Sequence, residues 1–137
     1  MVLSRESVAA AKGAKPIARI VAHAAHAHEP SQFTTAPVGA VQKCLEKANW
    51  SIDDVELFEV NEAFACVAMF AMRDLGISHD KINVNGGATA LGHPIGASGA
   101  RILVTLINAL KVQGKSKGLA SLCIGGGEAT AVAVELV

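Results

Sequence analysis

The segment that most restricts this 137-residue chain is the glycine-rich stretch NVNGGATALGHPIGASGARI at residues 83–102. Glycine lets the backbone approach another group closely, and proline fixes the direction in which the chain leaves. His93 stands between Gly92 and Pro94 and is therefore predicted to be held rigidly. The pattern leaves two interpretations open, a braced structural histidine or a positioned acid/base.

Two familiar glycine motifs do not account for this stretch. Residues 87–92 have the G-x-x-x-x-G spacing of a phosphate-binding loop, but His93 stands where that loop needs a lysine. The sequence GASGA at residues 96–100 departs from the G-x-S-x-G pattern of a nucleophilic serine, because Ala100 occupies the final position. Neither phosphate binding nor a serine nucleophile is predicted here.

Hydrophobic periodicity predicts a short N-terminal helix that Ser4 caps and Gly13 ends, and then an alternation of strands and helices. The predicted order is strand (16–27), helix (36–50), strand (55–60), helix (61–76), loop, helix (98–113), and two strands within 118–137. This order is typical of an α/β fold with a mixed sheet and helices on its faces. No linker or repeat divides the chain, so residues 1–137 are predicted to form a single domain.

Composition and charge narrow the function classes. The 12 basic and 12 acidic residues are scattered singly and give zero net charge, which argues against a nucleic-acid partner. No apolar run approaches the roughly 18 residues of a membrane span, and the N-terminus lacks the apolar core of a signal peptide, so no membrane association is expected. The 51% apolar content exceeds what a small domain buries, which predicts a face for another domain or subunit.

The three cysteines are an odd number without C-x-x-C spacing, which favours reduced thiols and a cytoplasmic location. Cys44 and Cys66 fall within helical patterns and are predicted to be structural. Cys123 follows an apolar strand and precedes three glycines, whose open N–H groups suit an oxyanion hole. With a lowered pKa it would act as a base or nucleophile; the alternative is an inert buried thiol.

Two further polar features also admit two interpretations. Asn61 stands between a predicted strand and a predicted helix, either as an N-cap or as a ligand-facing group at the carboxyl end of the strand. His23, His26 and His28 suggest a metal site, but only His26 and His28 share a strand face. No nearby cysteine or carboxylate pair completes a tetrahedral set, so no metal is expected.

Three separated stretches, VNEAFA (60–65), the stretch 83–102 and CIGGG (123–127), closely resemble the C-terminal half of thiolases of the acetyl-CoA acetyltransferase type. The likeness extends over nearly the whole chain and implies a thiolase-like half with an α/β fold. It implies that His93 activates a nucleophilic cysteine and hydrogen-bonds the thioester oxygen. Cys123 would move the proton on the α-carbon, and Asn61 would hold a water that completes an oxyanion hole.

The resemblance also implies that the backbone N–H of Gly125 serves a second oxyanion hole, and that Phe64 and Phe33 contact the acyl or pantetheine part of coenzyme A. The implied reaction is the reversible Claisen condensation of acetyl-CoA to acetoacetyl-CoA. It uses no cofactor beyond the thioester substrate, and the family implies a homo-oligomer in fatty acid metabolism.

The N-terminal half that carries the nucleophilic cysteine in this family is absent from the 137 residues, so the chain alone is expected to be inactive. The alternative is a non-catalytic binding or assembly subunit that pairs with a thiolase N-terminal half or with itself.

Overall fold

A mixed four-stranded sheet organises the computed structural model, which describes residues 1–137. The strands are β1 (Ala18–Ala27), β2 (Leu57–Val60), β3 (Lys117–Cys123) and β4 (Glu128–Leu136), in the spatial order β1-β4-β3-β2. Strands β2 and β3 are parallel, and the other two pairs are antiparallel. The predicted mixed sheet and the predicted order of elements are confirmed.

Five helices accompany the sheet: α1 (Glu6–Ala11), α2 (Ala36–Ala48), α3 (Ala65–Leu75), α4 (Ala88–Leu91) and α5 (Ser98–Val112). Pro37 lies in the first turn of α2, and Asn49 ends that helix in the left-handed conformation with φ 55°. Gly76 ends α3 in the same way with φ 70°. These local signals explain why the three long helices were predictable from the sequence.

Two local predictions were wrong. Ser4 does not cap α1, because its hydroxyl donates to the carbonyl of Arg5 and the N-cap position belongs to Arg5 itself. The glycine-rich stretch was predicted as a loop, but it contains the single-turn helix α4. A four-residue helix is too short to leave a periodic apolar pattern, so the sequence carried no signal for it.

The two faces of the sheet bury separate apolar clusters. On β2, Phe58 and Val60 face the cluster under α2 and α3, whereas Leu57 faces the cluster under α5. This alternation is the period-two geometry of a strand that is covered on both faces. The sheet is thus a rigid central layer whose edges and strand ends are left to position functional groups.

The N-terminal segment lies outside both clusters. Helix α1 buries none of its residues, and Val2 is 94% exposed. The apolar partner face that the composition suggests stays a prediction, although exposed apolar side chains such as Ile17 and Met69 fit it. None of the helices is both long enough and apolar enough to span a membrane.

Candidate active site

Two parallel strands end side by side at the candidate site. The N–H of Asn61, which directly follows β2, donates to the carbonyl of Ser121 at 2.9 Å and extends the pairing with β3 by one residue. Cys123 is the last residue of β3. Asn61 and the CIGGG turn therefore meet at the carboxyl edge of the sheet, where open α/β sheets place their ligands.

Asn61 is completely buried and is not the N-cap of α3, as one of the two predictions had it. The helix begins at Ala65, and Phe64 occupies the N-cap position without a side-chain cap. The amide of Asn61 instead contacts the imidazole of His93, with 3.3 Å between Nδ2 and Nε2. Residues that are 32 positions apart in the chain thus meet in one hydrogen bond.

His93 is held at its other nitrogen by the first residue of α5. The distance from Nδ1 to the Ser98 hydroxyl oxygen is 2.5 Å, and that hydroxyl in turn donates to the carbonyl of Pro94 at 3.1 Å. Gly92 leaves α4 with φ 88°, a conformation that L side chains rarely adopt. The predicted rigidity of His93 therefore has a concrete basis in a glycine before it and a bridged turn after it.

A buried ion pair lies behind Asn61, and the sequence pattern did not reveal it. Arg101 donates from one guanidinium nitrogen to Glu59 at 3.2 Å and from the other to Oδ1 of Asn61 at 3.1 Å. Burial raises the pKa of Glu59 to about 7, against the opposing effect of the Arg101 charge. A glutamate inside the apolar strand LFEV was the available signal, since a buried carboxylate needs a partner.

Cys123 lies in an environment that differs from the predicted one. It is buried, and burial raises the pKa of its thiol, with a further increase from the neighbouring Cys66. The lowered pKa on which the base or nucleophile interpretation depended is therefore not found, since no cation lies among the groups that shift the pKa of Cys123. The thiol is held in its neutral form, which is a proton donor before it is a base.

The glycines of the CIGGG turn have different tasks. Gly125 is exposed, its N–H donates to no backbone carbonyl of the chain, and a side chain at this position would meet open space. Gly127 has φ 97°, and a Cβ there would overlap the carbonyl of His28. Gly127 is thus required for the turn, whereas Gly125 leaves a free donor beside Cys123.

The two phenylalanines with predicted substrate contacts are brought together. The ring of Phe33, in the 3-10 segment Pro30–Thr35, meets the ring of Phe64 edge to face with 6.0 Å between their centroids. Phe64 is 59% exposed although it is a large apolar side chain. An apolar surface therefore stands at the start of α3, three residues after Asn61.

A second polar cluster holds the glycine-rich stretch against β2. The side chain of Asn83, a residue with φ 48°, makes two hydrogen bonds with the backbone of Val60 and donates to Glu62. Glu62 also accepts from the N–H of Thr89 at 3.1 Å. Burial alone would raise the pKa of Glu62, but these hydrogen bonds outweigh it and hold the pKa below its ordinary value.

This cluster makes Gly87 a sensitive position. A Cβ at Gly87 would overlap the carboxylate of Glu62, so Gly87→Ala is expected to lower the free energy of unfolding by about 0.5–1.5 kcal/mol, because the partly buried carboxylate must move and lose its hydrogen bonds. Urea unfolding at pH 7 measures the change. The matched control is Gly96→Ala, where a Cβ meets nothing within 4 Å. Equal stability of the two variants would contradict the role assigned to Glu62.

His23, His26 and His28, in and just after β1, make no hydrogen bond with Asn61 or His93, although the N–H of His28 donates to the carbonyl of Gly127 in the CIGGG turn. His26 and His28 face the same side, with ring centroids 5.3 Å apart, whereas His23 is exposed on the other side. His28 donates from Nε2 to the carbonyl of Gln32 at 2.7 Å. Burial lowers the pKa of His26, helped by the charges of Lys43 and His28. The three imidazoles do not converge, and no set of three potential ligands surrounds a common point.

Comparison with known proteins gives one matching family and several similar relatives. A family described as "Thiolase, C-terminal domain" matches residues 14–136. The acetyl-CoA acetyltransferase of Allochromatium vinosum is 53% identical over 135 residues, and the cytosolic acetyl-CoA acetyltransferase of Mus musculus is 47% identical. Each match covers 98% of this chain and 34% of the relative.

One solved structure matches this chain in fold as well as in sequence. The crystal structure of Acat5 thiolase from Ascaris suum in complex with coenzyme A superimposes with a TM-score of 0.92 and 40% identity. The match covers 98% of this chain and 35% of that one. The chain thus spans about a third of the length of the proteins that it matches.

Proposed function

Because the chain belongs to the thiolase family and forms its C-terminal domain, we propose that Asn61, His93 and Cys123 are the acid/base part of an acetyl-CoA acetyltransferase active site. The observation that carries the proposal is the Asn61–His93 hydrogen bond at the end of β2, next to the strand β3 that ends at Cys123. The reaction is the reversible transfer of an acetyl group between two acetyl-CoA molecules, giving acetoacetyl-CoA and free coenzyme A.

His93 begins the first half-reaction as a base. Its Nδ1–H donates to Ser98, so Nε2 carries no proton and takes the proton of a nucleophilic cysteine in exchange for the hydrogen bond that it accepts from Asn61. The cysteine sulfur attacks the thioester carbonyl, and the bond to coenzyme A breaks. Once protonated, Nε2 no longer accepts from Asn61 and donates to the developing oxyanion, while the released Asn61 amide holds a water as the second donor.

Cys123 is the acid of the first half-reaction and the base of the second. Its buried neutral thiol protonates the leaving thiolate of coenzyme A. The thiolate that remains takes an α-proton from a second acetyl-CoA, and the N–H of Gly125 stabilises the enolate oxygen. The enolate carbon attacks the acetyl-enzyme, and the departing cysteine recovers its proton from His93.

The remaining proposals concern substrate contacts, cofactor use, location and assembly. Phe33 and Phe64 are proposed to contact the acyl or pantetheine part of the substrate, which their edge-to-face pair presents beside Asn61. We propose that no cofactor is needed beyond the thioester, that the enzyme is cytosolic, and that it assembles as a homo-oligomer through the exposed apolar residues of the domain.

None of the three cysteines suits the nucleophile in this scheme. The thiol of Cys44 is buried inside α2 and donates to the carbonyl of Ala22 at 3.6 Å, and burial raises its pKa. Cys66 belongs to the helical pattern of α3, which predicts a structural cysteine, and Cys123 already has a role. The nucleophile is therefore proposed to come from a thiolase N-terminal domain, so the 137 residues alone do not complete a turnover.

The test compares the chain alone with the chain joined to that domain. Alone, it is expected to show no acetoacetyl-CoA thiolysis above a Cys123→Ala control. Joined in one reading frame behind the remaining two-thirds of the Allochromatium vinosum relative, it is expected to support thiolysis that Cys123→Ala and His93→Asn abolish. Turnover that survives both substitutions would favour the rival function, a non-catalytic assembly subunit.

A further inference from the structure

We propose that Arg101, anchored by Glu59, is a positioning residue that sets the tautomer of His93 through the amide of Asn61. Its two terminal guanidinium nitrogens contact Glu59 at 3.2 Å and Oδ1 of Asn61 at 3.1 Å. The other end of the same amide, Nδ2, lies 3.3 Å from Nε2 of His93. A continuous chain of hydrogen bonds thus runs from a buried carboxylate to the imidazole.

The direction of these hydrogen bonds follows from which groups are able to donate and which are able to accept. An asparagine amide offers a donor and an acceptor and has two possible orientations, but a guanidinium has donors only. With Arg101 at one end, the oxygen of the Asn61 amide must face the guanidinium, because the opposite orientation would set two donors against each other. Nδ2 therefore faces His93 and donates, so Nε2 of His93 must be unprotonated.

Ser98 supports the same tautomer from the other side of the ring. Its hydroxyl proton is used on the carbonyl of Pro94, which leaves the oxygen to accept from Nδ1–H of His93. Ser98 thus accommodates the neutral form with the proton on Nδ1. Because a serine hydroxyl can rotate to donate to Nδ1 instead, the orientation of the Asn61 amide decides between the two tautomers. The Nδ1–H form is the one in which Nε2 is available as a base.

The position of Arg101 explains why an arginine is required. Glu59 and Asn61 are two residues apart on an extended segment and project on the same side, so their oxygens present two acceptors to one donor group. The planar guanidinium fork spans both acceptors, whereas a lysine ammonium is a single point. Arg101 also lies three residues after Ser98 on α5, so one helix face carries both groups that constrain His93.

Glu59 supplies the anchor. The Glu59 side chain is 1% exposed, whereas the Arg101 side chain is 21% exposed. Arg101 is the only hydrogen-bond partner of this buried carboxylate. Its second oxygen makes no hydrogen bond. Without Glu59, the guanidinium would be free to swing toward solvent and the Asn61 amide would lose the donor that orients it.

The tautomer can be read directly, without any activity. In the chain labelled with ¹⁵N-histidine, at a pH where the imidazole is neutral, His93 is expected to give the NMR pattern of an Nδ1–H tautomer, with its signals identified by their loss in His93→Asn. In Arg101→Lys, which keeps the charge beside Glu59, the pattern is expected to shift toward the Nε2–H tautomer. The control Arg73→Lys, at an exposed surface pair, should change nothing.

Several outcomes would overturn the proposal. A wild-type His93 in the Nε2–H form overturns it without any variant, and so does a folded Arg101→Lys chain whose tautomer is unchanged. If Arg101→Lys does not fold, Glu59→Gln combined with Arg101→Gln removes both charges of the pair together and is expected to give the same shift in tautomer.

The catalytic consequence rests on the proposed function and is measured in the joined enzyme. Arg101→Lys is expected to lower kcat about 100-fold with KM nearly unchanged. The substitution moves the proton of neutral His93 to Nε2, where it blocks the base, and it leaves the groups that bind the substrate in place. An inactive wild-type joined enzyme with the Nδ1–H tautomer would reject the function and keep the positioning role. Full activity in Arg101→Lys would reject the positioning role alone.

Discussion

Replacing Cys123 with alanine is expected to lower the kcat of thiolysis by the joined enzyme about 1,000-fold, while the domain keeps its fold. The thiol is both proton donor to coenzyme A and base for the α-carbon in the proposed mechanism, and a positioned acid/base contributes about 10²–10⁴-fold. Steady-state thiolysis measures the loss. Cys66→Ala is the control for loss of a neighbouring, half-buried thiol. It removes only the smaller effect of Cys66 on the pKa of Cys123, so its turnover should stay within a few-fold of the wild type.

The raised pKa of Cys123 can be tested separately in the 137-residue chain alone. Since burial raises the pKa of Cys123, its alkylation by iodoacetamide should reach half its maximal rate at a higher pH than that of an exposed cysteine. Mass spectrometry of the Cys123 peptide follows the rate. A half-maximal pH at or below that of a free thiol would show that the thiolate is stabilised, and the acid-first role would then be wrong.

The second large effect concerns stability and pH. The pKa of Glu59 rises from 4.5 to about 7 on folding, so its contribution to stability is fully present below pH 4.5 and is lost as the pH rises through 7. The Glu59→Gln variant has no carboxyl group to ionise at this position, so it does not lose stability in this way as the pH rises. The stability of Glu59→Gln relative to wild type should therefore increase by about 3 kcal/mol between pH 4.5 and pH 8.

Urea unfolding at pH values from 4.5 to 8 measures this difference. The control is Glu135→Gln, which removes an exposed partner of Arg19 and should shift stability by a small amount that varies little over this range. A constant difference between wild type and Glu59→Gln would mean that the pair with Arg101 keeps Glu59 ionised throughout. The raised pKa would then be contradicted.

The elements of the fold were predictable where the local signal was strong. Helix α3 has apolar residues at helical spacing and Gly76 at its end, and both signals act within a few residues. The glycine and proline around His93 likewise predicted a braced turn without reference to the rest of the chain. The N-cap interpretation of Asn61, in contrast, was wrong, because three further residues separate Asn61 from the start of α3.

The sequence alone thus determined which segments are strands and helices and indicated the candidate site residues, because propensity, periodicity and short motifs are properties of neighbouring residues. Only the tertiary structure decided that Glu59 pairs with Arg101, 42 positions away, and that this pair orients Asn61. It also decided that the pKa of Cys123 is raised rather than lowered. The physical reason is that burial and long-range hydrogen bonds depend on which surfaces meet, and no local pattern records that.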